Sequence, residues 1–585
     1  MPLPAAKART SQTVLLLFVL VASALPYLPA LRYSFAYDDD AQIVSDFSIR
    51  NWHNLSAYFV TPAWKMIDPS AANNYYRPLF YVWLQANYAL FKLHPFAWHL
   101  TSLAVHLAVT LLLFFLLLRS FRQSWIAAAG ALVFALHPVH IESVVWVSGV
   151  TDPLATLGVV GSLLLWLRSA ESHRARRLAA ALLCYLAALL VKEPAIVLPA
   201  IVFVYSLAGQ GPGTATPEPA TGRLRLAVNQ SIPFLCVTAA YLALRIVVLK
   251  GLGGGTGGAP WISARDTFLT APKLLVFYLW HLVWPVKLSI FYALPIVTSA
   301  RSAAFVLSLA ALGIIAVAGV ILWRRRRTPN IPIAFTWLVL PILPVLKISV
   351  FQVDDFLHDR YLYLPCVGLA ILFCVLLQSL TSENVPARPS WKLALAVRVV
   401  VVLLGLATVF QETPWRDNVA LFTYALERTP NNTIALNNLC VQYAAQGRYQ
   451  EAHDLLVPVI RQRPDYWVGV YNFGYVNYRL GRLDVAEQYL RRAISINERN
   501  ADEHGFLGQT YLRENRLADA AAQFNLALHW RPDGRGYHFA LGLIAMQQGD
   551  LNKAQAELRE ELQSHPDSLA AVTELAFVQR LAQAK

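Results

Sequence analysis

Charge is scarce in this sequence. Aspartate, glutamate, lysine and arginine make up 14% of its 585 residues, where soluble domains carry about 25%. The shortage is uneven: residues 1–411 read as long apolar runs, whereas 412–585 read as an ordinary soluble sequence. A wholly soluble protein is therefore excluded, and the shift marks the main domain boundary. Cysteine is also sparse. Cys184, Cys236, Cys366 and Cys374 lie in apolar segments and Cys440 lies beyond them. No paired framework and no CxxC is present, so neither a structural disulfide nor a zinc site is expected. No H-x-x-x-H or other metal-ligand spacing occurs either. The net charge of +14 does not mark a nucleic-acid binder, because the basic residues sit in short loops rather than on a soluble face.

Apolar runs fill the first part. They cover roughly 12–31, 97–118, 125–138, 144–167, 178–191, 195–208, 229–249, 302–323, 331–347, 361–380 and 393–411, and a span needs about 20 such residues. The first run, behind Lys7 and Arg9, resembles a signal peptide but continues past Pro26 to Leu31, so it reads as an uncleaved helix. Lys7 and Arg9 put the N-terminus in the cytoplasm. Alternation then puts loops 119–124, 168–177, 209–228, 324–330 and 381–392 inside, and these hold most of the arginines. Eleven crossings leave residue 412 onward outside. The segment 268–290 is apolar, with Tyr278, Trp280 and Trp284. It reads as an interfacial or re-entrant helix on the outer side, because Trp and Tyr favour the headgroup level.

The soluble part repeats every 34 residues, the tetratricopeptide (TPR) period. Gly447, Gly481, Asn515 and Gly549 share one phase; Ala452, Ala486, Ala520 and Ala554 another; Pro464, Pro532 and Pro566 a third, where Glu498 stands once. Small residues let paired helices approach, glycine or asparagine tolerates positive φ at the turn, and proline helps stop the second helix. The fold class expected is all-α: a polytopic helical bundle over 1–411, a linker or half-repeat at 412–432, four repeats over 433–568 and a capping helix at 569–585. The concave groove of such an array binds ligands. Asn437, Asn438, Tyr471, Asn472, Tyr475, Tyr478, Arg479, Gln509 and Arg513 should face it, with asparagines placed to bond the backbone of an extended peptide.

Ionisable residues cluster at the outer ends of the apolar runs. Asp38, Asp39 and Asp40 follow the first span in SFAYDDDAQIV, and Arg77 lies in YYRPL later in the same loop. A charge at mid-bilayer costs about 2.5–3.5 kcal/mol, so the aspartates belong at or beyond the interface. HPVHIES supplies His137, His140 and Glu142; Asp152 follows; Lys192-Glu193-Pro194 joins two runs; and Asp354, Asp355, His358, Asp359 and Arg360 precede YLYLP. All fall on one side of the membrane in this topology. The alternative for Glu142 and Asp152 is a structural polar pair inside the bundle, but ionisable groups within spans are functional candidates by default.

Taken together, FAYDDDAQI after the first span, YYRPL, HPVHIESV with Asp152, DRYLYLP and the trailing repeats resemble the transmembrane-and-TPR protein O-mannosyltransferases, of the GT-C class. The resemblance covers most of the chain. It implies a helical bundle with an outer-face active site, a polyprenyl- or dolichyl-phosphate sugar donor, no other cofactor, and a hydroxyl acceptor on a polypeptide. Asp38 and Asp39 match the family's acidic pair, either of which would be the general base. Two departures stand out: Val150 where the family often has arginine, and Asp359 where it often has glutamate.

The residue chemistry fits independently. A Ser or Thr hydroxyl is a poor nucleophile near neutral pH, and a carboxylate base adds typically 10²–10⁴-fold. The lipid-phosphate leaving group wants cations, which Arg77 and Arg360 supply, with His137, His140 and Lys192 as lesser candidates. Single displacement would invert the anomeric centre, and no metal is required. The expectation is a membrane enzyme moving a sugar, mannose by resemblance, to protein hydroxyls, with Asn438, Tyr471, Asn472, Tyr475 and Arg479 holding the acceptor. A bacterial inner membrane with periplasmic repeats fits the lack of disulfides; in a eukaryote the repeats would be lumenal. Two rivals are a non-catalytic membrane scaffold recruiting partners through its repeats, and a GT-C transferase acting on a lipid or glycan.

Overall fold

Proline and small polar residues set where the helices of this chain begin. Pro78 and Pro95 open Pro78–Phe91 and Pro95–Phe121, where the missing N–H costs nothing. Ser302, Ser390 and Asn432 accept a hydrogen bond from the first turn of the helices they precede, satisfying one orphan donor each. In the computed structural model, residues 5–67, 75–170, 173–213, 220–251, 261–381 and 389–583 are described. The sequence-derived loops 168–177, 209–228 and 381–392 therefore lie partly outside the described residues. Every regular element among the described residues is a helix, apart from one isolated bridge, Gln352 to Asp355.

The chain divides into two compact units, residues 1–428 and 429–585. Within the first, five helices are long and apolar enough to cross a membrane: Pro95–Phe121, Val147–Leu167, Thr221–Leu249, Ala303–Arg326 and Trp391–Arg416. A sixth candidate is the pair Ser124–Ala135 and Pro138–Val144, bent by 52°. Shorter apolar helices occupy Gln12–Tyr27, Glu193–Leu207, Asn330–Leu346 and Cys366–Ser379. The chain is an integral membrane protein on this ground. Ala264–Val283, in the segment read as interfacial, is not among these helices; Trp280 within it and Trp284 at its end are exposed.

Close approach of helices rests on glycine at two places. A Cβ on Gly130 would lie 2.4 Å from Cys374 Sγ, and one on Gly368 would lie 2.5 Å from the Ala334 carbonyl oxygen. Breaks in the helices matter more for function. Pro138 forbids a helical continuation after His137, Lys192 is extended between Arg174–Val191 and Glu193–Val197, and His358 is extended before Asp359–Leu362. Non-helical backbone at membrane depth needs polar surroundings, and ionisable side chains gather at these three breaks.

The second unit is a run of antiparallel helix pairs. First helices are Thr433–Ala445, Trp467–Arg479, Ala501–Arg513 and Tyr537–Gln547; second helices are Tyr449–Gln462, Leu483–Ile496, Leu517–Trp530 and Leu551–Ser564; Leu569–Gln583 follows. Ala452, Ala486, Ala520 and Ala554 are fully buried between them. Gly447, Gly481 and Gly549 have φ of 76°, 77° and 80°, and Asn515 takes the same left-handed turn at 61°.

Candidate active site

Tyr37 adopts a left-handed φ of 58°, a conformation costing roughly 1–2 kcal/mol for a residue with a Cβ. Its N–H donates to Asn418 Oδ1 at 2.6 Å, and its ring packs on Trp146, Phe291 and Phe422. This turn sends the three following aspartates in different directions. Asp39 is fully buried and accepts from Ser148 N at 2.8 Å, Ser148 Oγ at 2.6 Å and Ala36 N at 3.2 Å. Asp40 accepts from Asn418 Nδ2 at 2.7 Å. The half-buried Asp38 carboxylate accepts no hydrogen bond among the described residues. Burial raises its pKa to about 7, Asp355 adds to the rise, and the Arg360 guanidinium opposes it. Burial also lifts Asp39 to about 7, against the pull of its Ser148 and Ala36 bonds.

Cations and carboxylates meet beside this turn in three pairs. Arg360 grips Glu142, which also receives its backbone N–H at 3.1 Å. Arg77 pairs with Glu193 at 2.9 Å, and Lys192 with Asp152 at 2.5 Å. His358 lies between Glu142 at 3.1 Å and Asp355 at 3.2 Å. Burial and Arg360 work against a charged imidazolium there, but the two carboxylates prevail and its pKa is raised. The Tyr361 ring lies between two of the cations, 5.3 Å from the Arg360 guanidinium and 5.7 Å from Lys192 Nζ. Burial lowers Lys192 to about 8, although Asp152 pulls it up. Arg77 and Arg360 both act on Lys192 and Asp152, so the three pairs form one electrostatic network.

Of the residues singled out in the sequence, Asp38, Asp39, Arg77, Glu142, Asp152 and Arg360 therefore share one site. His137 and His140 face elsewhere. His137 Nε2 bonds the Leu282 carbonyl oxygen at 3.0 Å. His140 is buried against Phe134, Tyr363 and His106, with neither ring nitrogen hydrogen-bonded. Ser148 and Tyr37, which fix the aspartate turn, carry no signal in the sequence. Glu193 and His358 are visible there as ionisable residues at apolar ends, but their partners are not. Among the described residues no group of three or more His, Cys, Asp or Glu side chains is arranged to hold a metal ion.

In the second unit, Asn472 is buried and donates its amide to Asn437 Oδ1 at 2.8 Å, while Asn438 is half-buried. Tyr471 and Tyr475 pack on Phe506, with centroids 6.1 and 4.8 Å away. Arg479 is exposed, donates to Tyr475 Oη at 2.8 Å and lies over the Tyr449 ring. Phe506 and Tyr449 are additions to the residues read from the sequence.

A tetratricopeptide-repeat family model matches residues 441–504 and 507–568. The chain is similar to the human protein O-mannosyl-transferase TMTC1, at 25% identity over 74% of this chain and 53% of that protein. It is similar to the human protein O-mannosyl-transferase TMTC3, at 22% identity over 90% of this chain and 62% of that protein. It thus spans about half to three-fifths of the length of these curated relatives. Among solved structures, a thermophilic TPR protein of Thermus thermophilus is 23% identical over 31% of this chain and 96% of that one, with a TM-score of 0.25. Over most of its length, then, this chain is a homologue of the TMTC protein O-mannosyl-transferases, carrying tetratricopeptide repeats in its C-terminal part.

Proposed function

We propose that this chain is a membrane glycosyltransferase that moves mannose from a polyprenyl-phosphate carrier to Ser or Thr hydroxyls of proteins, on the outer side of the membrane. The observation that carries this is the Asp38 carboxylate, which accepts no hydrogen bond among the described residues and feels the Arg360 charge, while its neighbours Asp39 and Asp40 are both bonded. Asp38 takes the proton of the acceptor hydroxyl. The hydroxyl oxygen bonds to the anomeric carbon as the bond from that carbon to the phosphate oxygen breaks, with inversion. The lipid phosphate leaves with both electrons, stabilised by Arg77, Arg360 and Lys192. Arginine suits this because its planar fork can bond two phosphate oxygens. Lys192 sits on Asp152, two residues along the chain from Val150, where the family often has arginine. Asp39 holds the turn through Ser148 rather than reacting.

The count of about eleven spans belongs to this proposal. It is supported by the convergence of residues 38, 77, 142, 152, 192, 193 and 360, all of which that topology puts on one face. The repeat groove around Asn438, Tyr471, Tyr475 and Arg479 presents the acceptor, with the buried Asn472 bracing it through Asn437, an assignment that rests on the half-buried aromatic rings and the exposed arginine described above. A bacterial inner membrane, with the repeats in the periplasm, is the location that accompanies this topology.

The test is turnover of labelled polyprenyl-phosphate mannose by the purified chain in lipid vesicles. Asp38→Asn should lower the rate by about 10²–10⁴-fold. A donor left intact by the parent protein ends the transferase reading in favour of a scaffold. A label that enters lipid or glycan acceptors but never peptides replaces the acceptor class.

A further inference from the structure

The candidate base lies inside a four-residue turn. Asp40 N donates to the Tyr37 carbonyl oxygen at 3.3 Å, which closes residues 37–40 around Asp38 and Asp39. One side chain, 378 residues downstream of Asp40, grips both ends of it. Asn418 Oδ1 accepts from Tyr37 N at 2.6 Å, and Asn418 Nδ2 donates to Asp40 Oδ2 at 2.7 Å. Asn418 is 8% exposed. Its partners fix which way the amide points, since an N–H only donates and an ionised carboxylate only accepts.

The segment around Asn418 is built onto this turn. Ser34 N and Ser34 Oγ both donate to the Arg416 carbonyl oxygen, at 3.1 and 3.0 Å. Trp415 stacks on Trp146 at 6.1 Å. Phe422, one helical turn beyond Asn418, packs on the Tyr37 ring at 6.0 Å. Asp417 Oδ1 accepts from Ala420 N at 2.7 Å, which fixes the start of the helix Asn418–Arg428 and so the place of Asn418. This helix belongs to the first unit.

We propose that Asn418 is a positioning residue of the transfer: it holds Tyr37 left-handed and Asp40 at the far end, so that Asp38 is the carboxylate left to meet the acceptor hydroxyl. The proposal rests on the transferase reading. A strained backbone persists only where its surroundings hold it, and the bond to Tyr37 N and the rings around Tyr37 supply that hold. The turn asks for one acceptor and one donor side by side, and a primary amide carries both on one fork. Aspartate there would set a second carboxylate against Asp40, and an apolar residue would leave both groups bare. Arg77, Arg360 and Lys192 pair instead with Glu193, Glu142 and Asp152. Disturbing Asn418 should therefore reach the base and spare the binding of the donor.

The full chain in phosphatidylcholine vesicles tests this, with labelled polyprenyl-phosphate mannose and blocked heptapeptides with a central threonine. The readouts are kcat and the donor KM. Asn418→Asp keeps the shape and the acceptor for Tyr37 but turns an oxygen against Asp40. Its kcat should fall by about 10- to 100-fold, the worth of a hydrogen bond to a charged group, with the donor KM within about twofold of the parent. Adding Asp40→Asn restores a donor and acceptor pair with its direction reversed, and kcat should return to within about threefold of the parent. A merely structural role would lower the melting temperature without that split and without that recovery. A parent-like kcat in Asn418→Asp overturns the proposal. So does a donor KM that rises in step with the loss, or a swapped pair that recovers nothing. Should Asn418→Asp fail to fold, Asn418→Ser, too short to span both ends, carries the same comparison of kcat with KM. A parent that leaves the donor intact removes the transferase reading, and the positioning role with it.

Discussion

Replacing Asp38 and Asp39 one at a time should separate chemistry from architecture. Asp39→Ala strips the partner from the Ser148 N–H, the Ser148 hydroxyl and the Ala36 N–H, all held at the buried turn. Three orphaned donors at about 1–3 kcal/mol each give a loss of about 3–9 kcal/mol. An unfolding entropy of about 2.1 cal/mol/K per residue gives about 0.9 kcal/mol/K for a unit of this size. The melting temperature should therefore fall by roughly 3–10 °C. Asp38→Asn removes no hydrogen bond among the described residues and relieves the burial of a charge, so above about pH 7 it should melt no lower than the parent while turnover drops at least about a hundredfold. Thermal unfolding in detergent and turnover of polyprenyl-phosphate mannose, run on the same preparations, read both effects. The reasoning fails if Asp38→Asn keeps more than a tenth of the activity, or if Asp39→Ala melts with the parent.

The pH profile should show the same carboxylate. A base with a pKa of about 7 works only when ionised, so kcat/KM should fall about tenfold per unit below that value; a flat profile between pH 5 and 8 refutes the assignment. Glu503 in the second unit is fully buried with both oxygens unpartnered, and burial raises its pKa to about 8. A raised carboxyl gives stability that is complete below about 4.5 and lost as pH rises through about 8. The parent should thus lose several degrees more than Glu503→Gln between pH 6 and 9, and equal losses would refute this. Asn515 holds a left-handed turn at φ 61°; Asn515→Val should cost about 1–2 kcal/mol in thermal melts while Asn515→Gly costs none, and equal costs would remove the backbone argument.

The repeats were readable because each phase has its own packing reason. A Cβ on Gly474, Gly508 or Gly542 would meet Leu490, Phe524 or Leu558 within about 3 Å, so any other residue there pushes two helices apart. The apolar runs were readable for a similar reason, since burial in lipid demands continuity. The types of residue at the site were legible too, because charge beside an apolar run has few structural uses. The pairings were not. Glu142 and Arg360 are 218 residues apart and Arg77 and Glu193 are 116 apart; no local spacing encodes such a meeting. Nor could the order D-D-D say which carboxylate is free, because the left-handed Tyr37 decides that, and an aromatic residue gives no warning of positive φ. His137 and His140 share a motif with Glu142, yet the break at Pro138 turns their rings away from it.

Two of the long apolar helices, Ala303–Arg326 and Trp391–Arg416, bury only 6% of their most apolar window against the rest of the chain, where Val147–Leu167 buries 72%. Acyl chains must be their chief neighbours. A fluid solvent adapts to any greasy shape, so exchanging Leu for Ile, Val or Phe along Val399, Leu403 and Phe410 should be nearly silent. Those stretches then tolerate rewriting in a way that Ser148, tucked under its aspartate, does not.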